Sequence, residues 1–161
     1  MSAVCVLLAD LDQPAHQLAV VELTDAYSRD VMGAGKPLDD DVKTRLVPGL
    51  RAHPTTLVFL AYALERPVGM ALCFRGFSSF AARPLINVHD LSVLQAFRGQ
   101  GIGRQLLGAV IEHAKQTGCC KVTLETQERN HTAQRLYRSL GFERQMYVEE
   151  VGGAIFMACA L

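Results

Sequence analysis

The stretch FRGQGIGRQLL, residues 97–107, decides how this chain is read. Gly99, Gly101 and Gly103 fall within five residues, and the sequence then turns apolar at helical spacing. Glycine costs a helix roughly 1 kcal/mol per residue relative to alanine, so folding stability does not account for three of them. The first amides of a helix have no partner inside it, and the macrodipole makes that end positive. A glycine-rich start lets an anion approach those amides with no Cβ in the way. Arg98 and Arg104 flank the loop and add charge. A phosphate or pyrophosphate ligand is one reading; a tight turn whose glycines only satisfy positive φ is the other.

Two familiar phosphate motifs fail. No Lys-Ser or Lys-Thr pair follows at the offset a P-loop needs, and a dinucleotide GxGxxG pattern would put its third glycine at Arg104 or Leu106. The pattern that fits is R-x-x-G-x-G, met by Arg98, Gly101 and Gly103.

Composition bounds the rest. The 161 residues are 50% apolar and 20% charged, as expected of one globular domain spanning 1–161. Formal net charge is zero, which leaves no global basic field for nucleic acid or anionic membrane. The five cysteines are odd in number and lack CxxC spacing, so neither a disulfide framework nor a metal ribbon is expected. The start, MSAVCVLLADLDQ, has no basic residue and only a brief apolar run. No signal peptide, no membrane span and a cytoplasmic location are therefore expected.

Apolar periodicity orders the elements as β-α-α-β-β-β-α-β-α-β-β. AVCVLLA (3–9) reads as a strand, residues 14–29 as a helix, and a second helix follows the acidic run 39–41. TTLVFLAYALE (55–65) and PVGMALCFRGF (67–77) read as a hairpin, followed by LINVHDLSV (85–93) as a strand. A helix spans about 101–117 and CKVTLET (120–126) alternates as a strand. Asn130 caps a short helix that Gly141 stops, and ERQMYVEEV and AIFMACAL close the chain as a hairpin. The fold class is α/β, a mixed sheet of about seven strands flanked by about four helices.

The loop, set between a strand and an amphipathic helix, resembles the cofactor signature of the GNAT-type N-acetyltransferase superfamily. The likeness continues in CCKVTLETQERNHTAQRLYRSLGFE, where Asn130, Ala133, Leu136, Tyr137, Gly141 and Phe142 match the family's N-x-x-A-x-x-L-Y-x-x-x-G-F. The matching blocks cover about residues 87–143. The resemblance implies acetyl-CoA or another acyl-CoA, its pyrophosphate on the amides of residues 98–104 (Arg98, Gly99, Gln100, Gly101, Ile102, Gly103 and Arg104). It also implies that the strands at 90–93 and 121–126 splay apart, with pantetheine pairing in the gap near Leu91, Ser92 and Val93. Asn130 and Ala133 on the short helix are further cofactor contacts by resemblance. Arg138 is either a phosphate contact or a solvated helix charge.

For the chemistry, the resemblance places Tyr137 near the cofactor sulfur as proton donor to the leaving thiolate; a plain aromatic core residue is the alternative. A glutamate that often serves as base in the family is replaced here by His89 and Asp90. Simple alternation puts Asn87, His89 and Leu91 on one face of the strand and Val88, Asp90 and Ser92 on the other. His89 and Asp90 are candidates for base or substrate contact, against a structural role. Tyr27 and Phe80 lie in the segments expected to bind the acceptor, a small-molecule or peptide amine. No metal is expected. Homodimers are common in the family and the AIFMACAL strand could serve one. The expected activity is N-acetyl transfer; the alternative is a noncatalytic acyl-CoA-binding module.

Overall fold

The computed structural model describes residues 4–144 and 157–160. Contacts divide the chain into two compact units, Met1–Glu125 and Thr126–Leu161, each taken by itself below.

The first unit is a five-stranded sheet in the order β1 (Val4–Leu8), β2 (Thr56–Ala63), β3 (Arg66–Ser78), β4 (Arg83–Val93), β5 (Val122–Leu124). Neighbours from β1 to β4 run antiparallel, while β4 and β5 run parallel. The mixed sheet is flanked by α1 (Pro14–Arg29), α2 (Asp40–Ala52) and α3 (Ile102–Gln116). Pro14 opens α1 where its missing N–H costs nothing. Asp40 and Asp41 occupy the first turn of α2, on the favourable side of its dipole.

Each sheet face has its own cover. Val58, Leu60, Met70 and Leu72 pack with Ala19, Val20 and Leu23 of α1 and Val47 and Leu50 of α2. The opposite face carries α3, whose Ile102, Leu106, Leu107 and Val110 are fully buried. At Gly69 on β3, a Cβ would meet the Ser92 carbonyl at 3.0 Å and Leu106 Cδ1 at 3.1 Å, so helix and sheet close up where that side chain is missing.

The second unit contains α4 (His131–Arg138). Element order from β1 to α4 is the one periodicity predicts, with boundaries within a few residues. The first of the two final strands expected, 143–151, lies outside the described residues beyond Arg144; of the second, 154–161, only residues 157–160 are described, and they are exposed and not in a strand.

Candidate active site

The loop that opens α3 adopts the conformation its glycines permit. Gly99 has φ +76° and Gly101, the N-cap of α3, has φ +80°, both left-handed. A Cβ built at either position meets nothing within 4 Å. These glycines are therefore required by backbone angle and face open space. No side chain caps the helix, so the Ile102 and Gly103 amides in its first turn have no partner within the helix itself. A three-residue turn, Gln95–Phe97, leads into the loop, and the Arg66 guanidinium lies 5.5 Å over the Phe97 ring.

The parallel strands part beside this loop. β4 pairs with β5 only at Ile86, Asn87 and Val88, opposite Val122, Thr123 and Leu124. Beyond Val88, β4 continues to Val93 against β3 alone, leaving its other edge without a strand partner among the described residues.

β4 also carries a bulge, and the bulge corrects the face assignment from alternation. Leu72 of β3 stands opposite Asp90, but the next residue, Cys73, stands opposite Val88, so His89 is the extra residue. Asp90 and Ser92 consequently sit across from Leu72 and Met70, on the face covered by α1 and α2, and Asn87 sits across from Phe74 on that same face. The His89 ring is 5.5 Å from the Phe74 ring, edge to face, so it shares that face too. His89 and Asp90, expected on opposite sides, lie together; Val88 and Leu91 turn toward α3. Phe74 in turn meets His53, at the end of α2, at 5.0 Å.

Burial pushes the Asp90 carboxyl above its usual range, with His89 opposing the shift. Tyr27 on α1 is raised as well, first by burial and then by the negative charges of Asp90 and Asp30. A cleft of about 290 Å³ runs between α1 and the end of β4, lined in part by Tyr27, Asp30, Ser92, Val93 and Arg98. The Ser92 hydroxyl oxygen is buried without a hydrogen-bond partner among the described residues. Arg98 does not hold its charge free for an anion. Its guanidinium donates to the Asp30 carboxylate at 2.6 Å and to the Val93 carbonyl at 2.9 Å. Phe80 is fully exposed in the β3–β4 turn. That is the opposite end of β4 from the cleft, about 30 Å along the strand.

In the second unit, Asn130 caps α4, its Oδ1 accepting from the Ala133 amide at 3.2 Å. Gly141 has φ +86°, and the chain folds back so that the Phe142 amide donates to the Tyr137 carbonyl at 3.0 Å. The Tyr137 and Phe142 rings lie 6.0 Å apart. The Arg138 guanidinium donates to Gln134 one turn back, at 3.2 Å.

A family model described as the acetyltransferase (GNAT) family matches residues 18–142. The chain belongs to that family. A thialysine N-epsilon-acetyltransferase of Mus musculus is 28% identical over 134 residues, covering 83% of this chain and 71% of that protein. An uncharacterized N-acetyltransferase of Methanocaldococcus jannaschii is 35% identical over 92 residues, 56% of this chain and 41% of its own length. The aligned part is 45% of an Arabidopsis thaliana N-alpha-acetyltransferase and 15% of an uncharacterized Mycobacterium leprae protein, so the chain spans less than half of several curated relatives. The crystal structure of a probable acetyltransferase superposes with TM-score 0.80 at 19% identity, over 98% of this chain and 99% of that one. The structure of AAC(6')-Iy in complex with a CoA-S-monomethyl-acetylneamine bisubstrate analog gives TM-score 0.75 at 20% identity, over 99% and 100%. Both likenesses establish the GNAT fold.

Within this GNAT chain, Tyr27, Ser92, Val93 and Arg98 converge on one cleft, and Asp90 is close enough to act on Tyr27 electrostatically. The contacts of His89 with Phe74, and of Phe74 with His53, escaped the sequence reading. The available signal was the pair His89-Asp90, two consecutive titratable residues in one strand, which breaks strict alternation.

Proposed function

We propose that this chain transfers an acetyl group from acetyl-CoA to a primary amine of a small molecule or peptide, directly in a ternary complex. The observation that carries the reading is the left-handed pair Gly99 and Gly101 at the start of α3, with open space where their side chains would stand. The fit to coenzyme A rests on that cradle. Bare amides at a helix N-terminus favour a diphosphate, and a Cβ would occupy space the ligand needs. Residues 99–103 would hold the diphosphate by backbone, and the open edge of β4 at Leu91 and Val93 would pair with the pantetheine arm as an added strand does. Acetyl-CoA supplies the thioester as acyl donor.

The chain's own residues divide the remaining work. The acceptor must reach the site as a neutral amine. Asp90 and His89, side by side on the bulge, are the proposed proton acceptors, and half-burial of Asp90 raises its basicity toward that task. Tyr137 is the proposed proton donor to the departing thiolate, on its position in the family motif. Asn130 and Ala133 would contact the cofactor from α4 and Arg138 would lie near its phosphates. Tyr27 would line the acceptor side. The mouse relative named for thialysine, and the aminoglycoside acetyltransferases among similar chains, favour a small cationic amine as acceptor. The free cysteines fit a reducing, cytoplasmic setting, and no helix among the described residues is long and apolar enough to cross a membrane. A homodimer is part of the proposal.

The test is CoA release across a panel of polyamines, amino acids, aminoglycosides and peptides. Turnover with one class names the acceptor. CoA that raises Tm while no amine is acetylated would leave a binding module instead. Tyr137→Phe should lower turnover and leave the CoA Kd unchanged.

A further inference from the structure

Arg98, the first residue of the R-x-x-G-x-G pattern, has its side chain engaged within the protein. Its guanidinium bridges the Asp30 carboxylate and the Val93 carbonyl, at 2.6 and 2.9 Å, and its own amide donates to Gln95 at 3.2 Å. Asp30 is the C-cap of α1. Its side chain is 16% exposed against 50% for Arg98, so the carboxylate is the inner, fixed partner. Asp30 also organises the turn that leaves α1. Its Oδ1 accepts from the Met32 amide at 2.8 Å, and its carbonyl accepts from the Gly33 and Gly35 amides at 2.9 and 3.2 Å. The Met32 bond, and then the Arg98 guanidinium, hold the Asp30 carboxyl below the usual range. One cation thus joins the end of α1, the end of β4 and the start of the glycine loop.

We propose that Arg98 is a positioning residue and not a phosphate ligand: it ties α1, which carries Tyr27, to the loop that opens α3, so that the acceptor cleft and the cofactor loop share one hinge point. The proposal rests on the reading above that the loop takes coenzyme A and the cleft the amine. The guanidinium suits the task because its planar fork serves two acceptors at a fixed angle, which a lysine ammonium does not. A partly exposed ion pair adds little to global stability, so the junction is better explained by placement than by stability. Asp30 and Arg98 both line the 290 Å³ cleft, so a shift of either changes its wall.

The test combines Asp30→Asn, Arg98→Lys and the double variant D30N/R98K. Calorimetry with CoA, acceptor KM and hydrogen exchange on the unliganded protein are the readouts. Asp30→Asn, although it removes no residue of the loop, should weaken CoA binding about three- to tenfold and raise the acceptor KM. Arg98→Lys should do the same, and because both changes break one junction, the double variant D30N/R98K should lose no more affinity than the weaker-binding single variant. Asp30→Asn should also speed exchange at residues 98–101 as well as 32–35. If Asp30→Asn binds CoA like the parent while Arg98→Lys does not, Arg98 is a direct phosphate ligand and the proposal fails. Faster exchange confined to 32–35 overturns it too. Should the parent itself not bind CoA, the cofactor reading falls, and the exchange pattern alone decides the hinge.

Discussion

Replacing Gly101 by alanine separates what the backbone needs from what a ligand needs. Gly101 sits at φ +80°, where an L-residue costs roughly 1–2 kcal/mol. Its new Cβ would meet nothing within 4 Å, so no clash adds to that figure. For a chain of this length a loss of 1 kcal/mol lowers Tm by about 2–4 °C, so the unliganded variant should melt roughly 2–8 °C below the parent. If the open space is the diphosphate cradle, the methyl group also displaces the anion from one or more amides. A hydrogen bond to a charged group is worth about 1.5–3 kcal/mol, which predicts CoA binding weakened about 10- to 150-fold. Gly103 supplies the opposing case. It lies within α3 and is not among the glycines at positive φ, so alanine there should stabilise the helix by about 1 kcal/mol while still hindering the ligand. Thermal melts and calorimetry with CoA on both variants read the two effects independently. A Gly101→Ala protein that melts lower yet binds CoA like the parent would refute the cradle and leave the glycines as turn residues only.

Other consequences are simpler to check. Burial raises the Asp90 carboxyl in the folded chain, so its contribution to stability is fully present below the unfolded carboxyl pKa and is lost as pH rises through the folded value. Asp90→Asn removes that loss, and urea titrations from about pH 4 to 7 should show the variant gaining on the parent as pH rises; a constant difference refutes the shift. Cys73 is fully buried, and burial, then the Asp90 charge, pushes its thiol up to about 12. Iodoacetamide should label exposed Cys5 and Cys159 first and reach Cys73 only at the rate of unfolding; equal rates would contradict its burial. Gly69→Ala would press a methyl against the Ser92 carbonyl at 3.0 Å and against Leu106 and Ile102 of α3. Overpacking there should cost about 1–3 kcal/mol, and a Tm equal to the parent's would show that α3 shifts freely.

The parts legible from sequence are those whose signal is local. The α1 and α3 stripes, the glycine loop and the Asn130 cap each depend on residues a few positions apart, and helix periodicity or cap chemistry reads them directly. Family motifs extended that reading to the cofactor. The faces of β4 were not legible in the same way, because a strand pattern has period two and one inserted residue inverts everything after it. His89 is that residue: with it unpaired, His89 and Asp90 share the α1–α2 face. Strict alternation would have left one titratable group on each side of the sheet. The bulge instead sets a carboxylate and an imidazole beside each other, with Tyr27 near the carboxylate. Arg98 escaped for a different reason, since its partner Asp30 lies 68 residues away and no local pattern encodes that pairing. Both failures concern tertiary geometry, a bulge in one strand and a pairing between distant segments, which no local sequence pattern encodes.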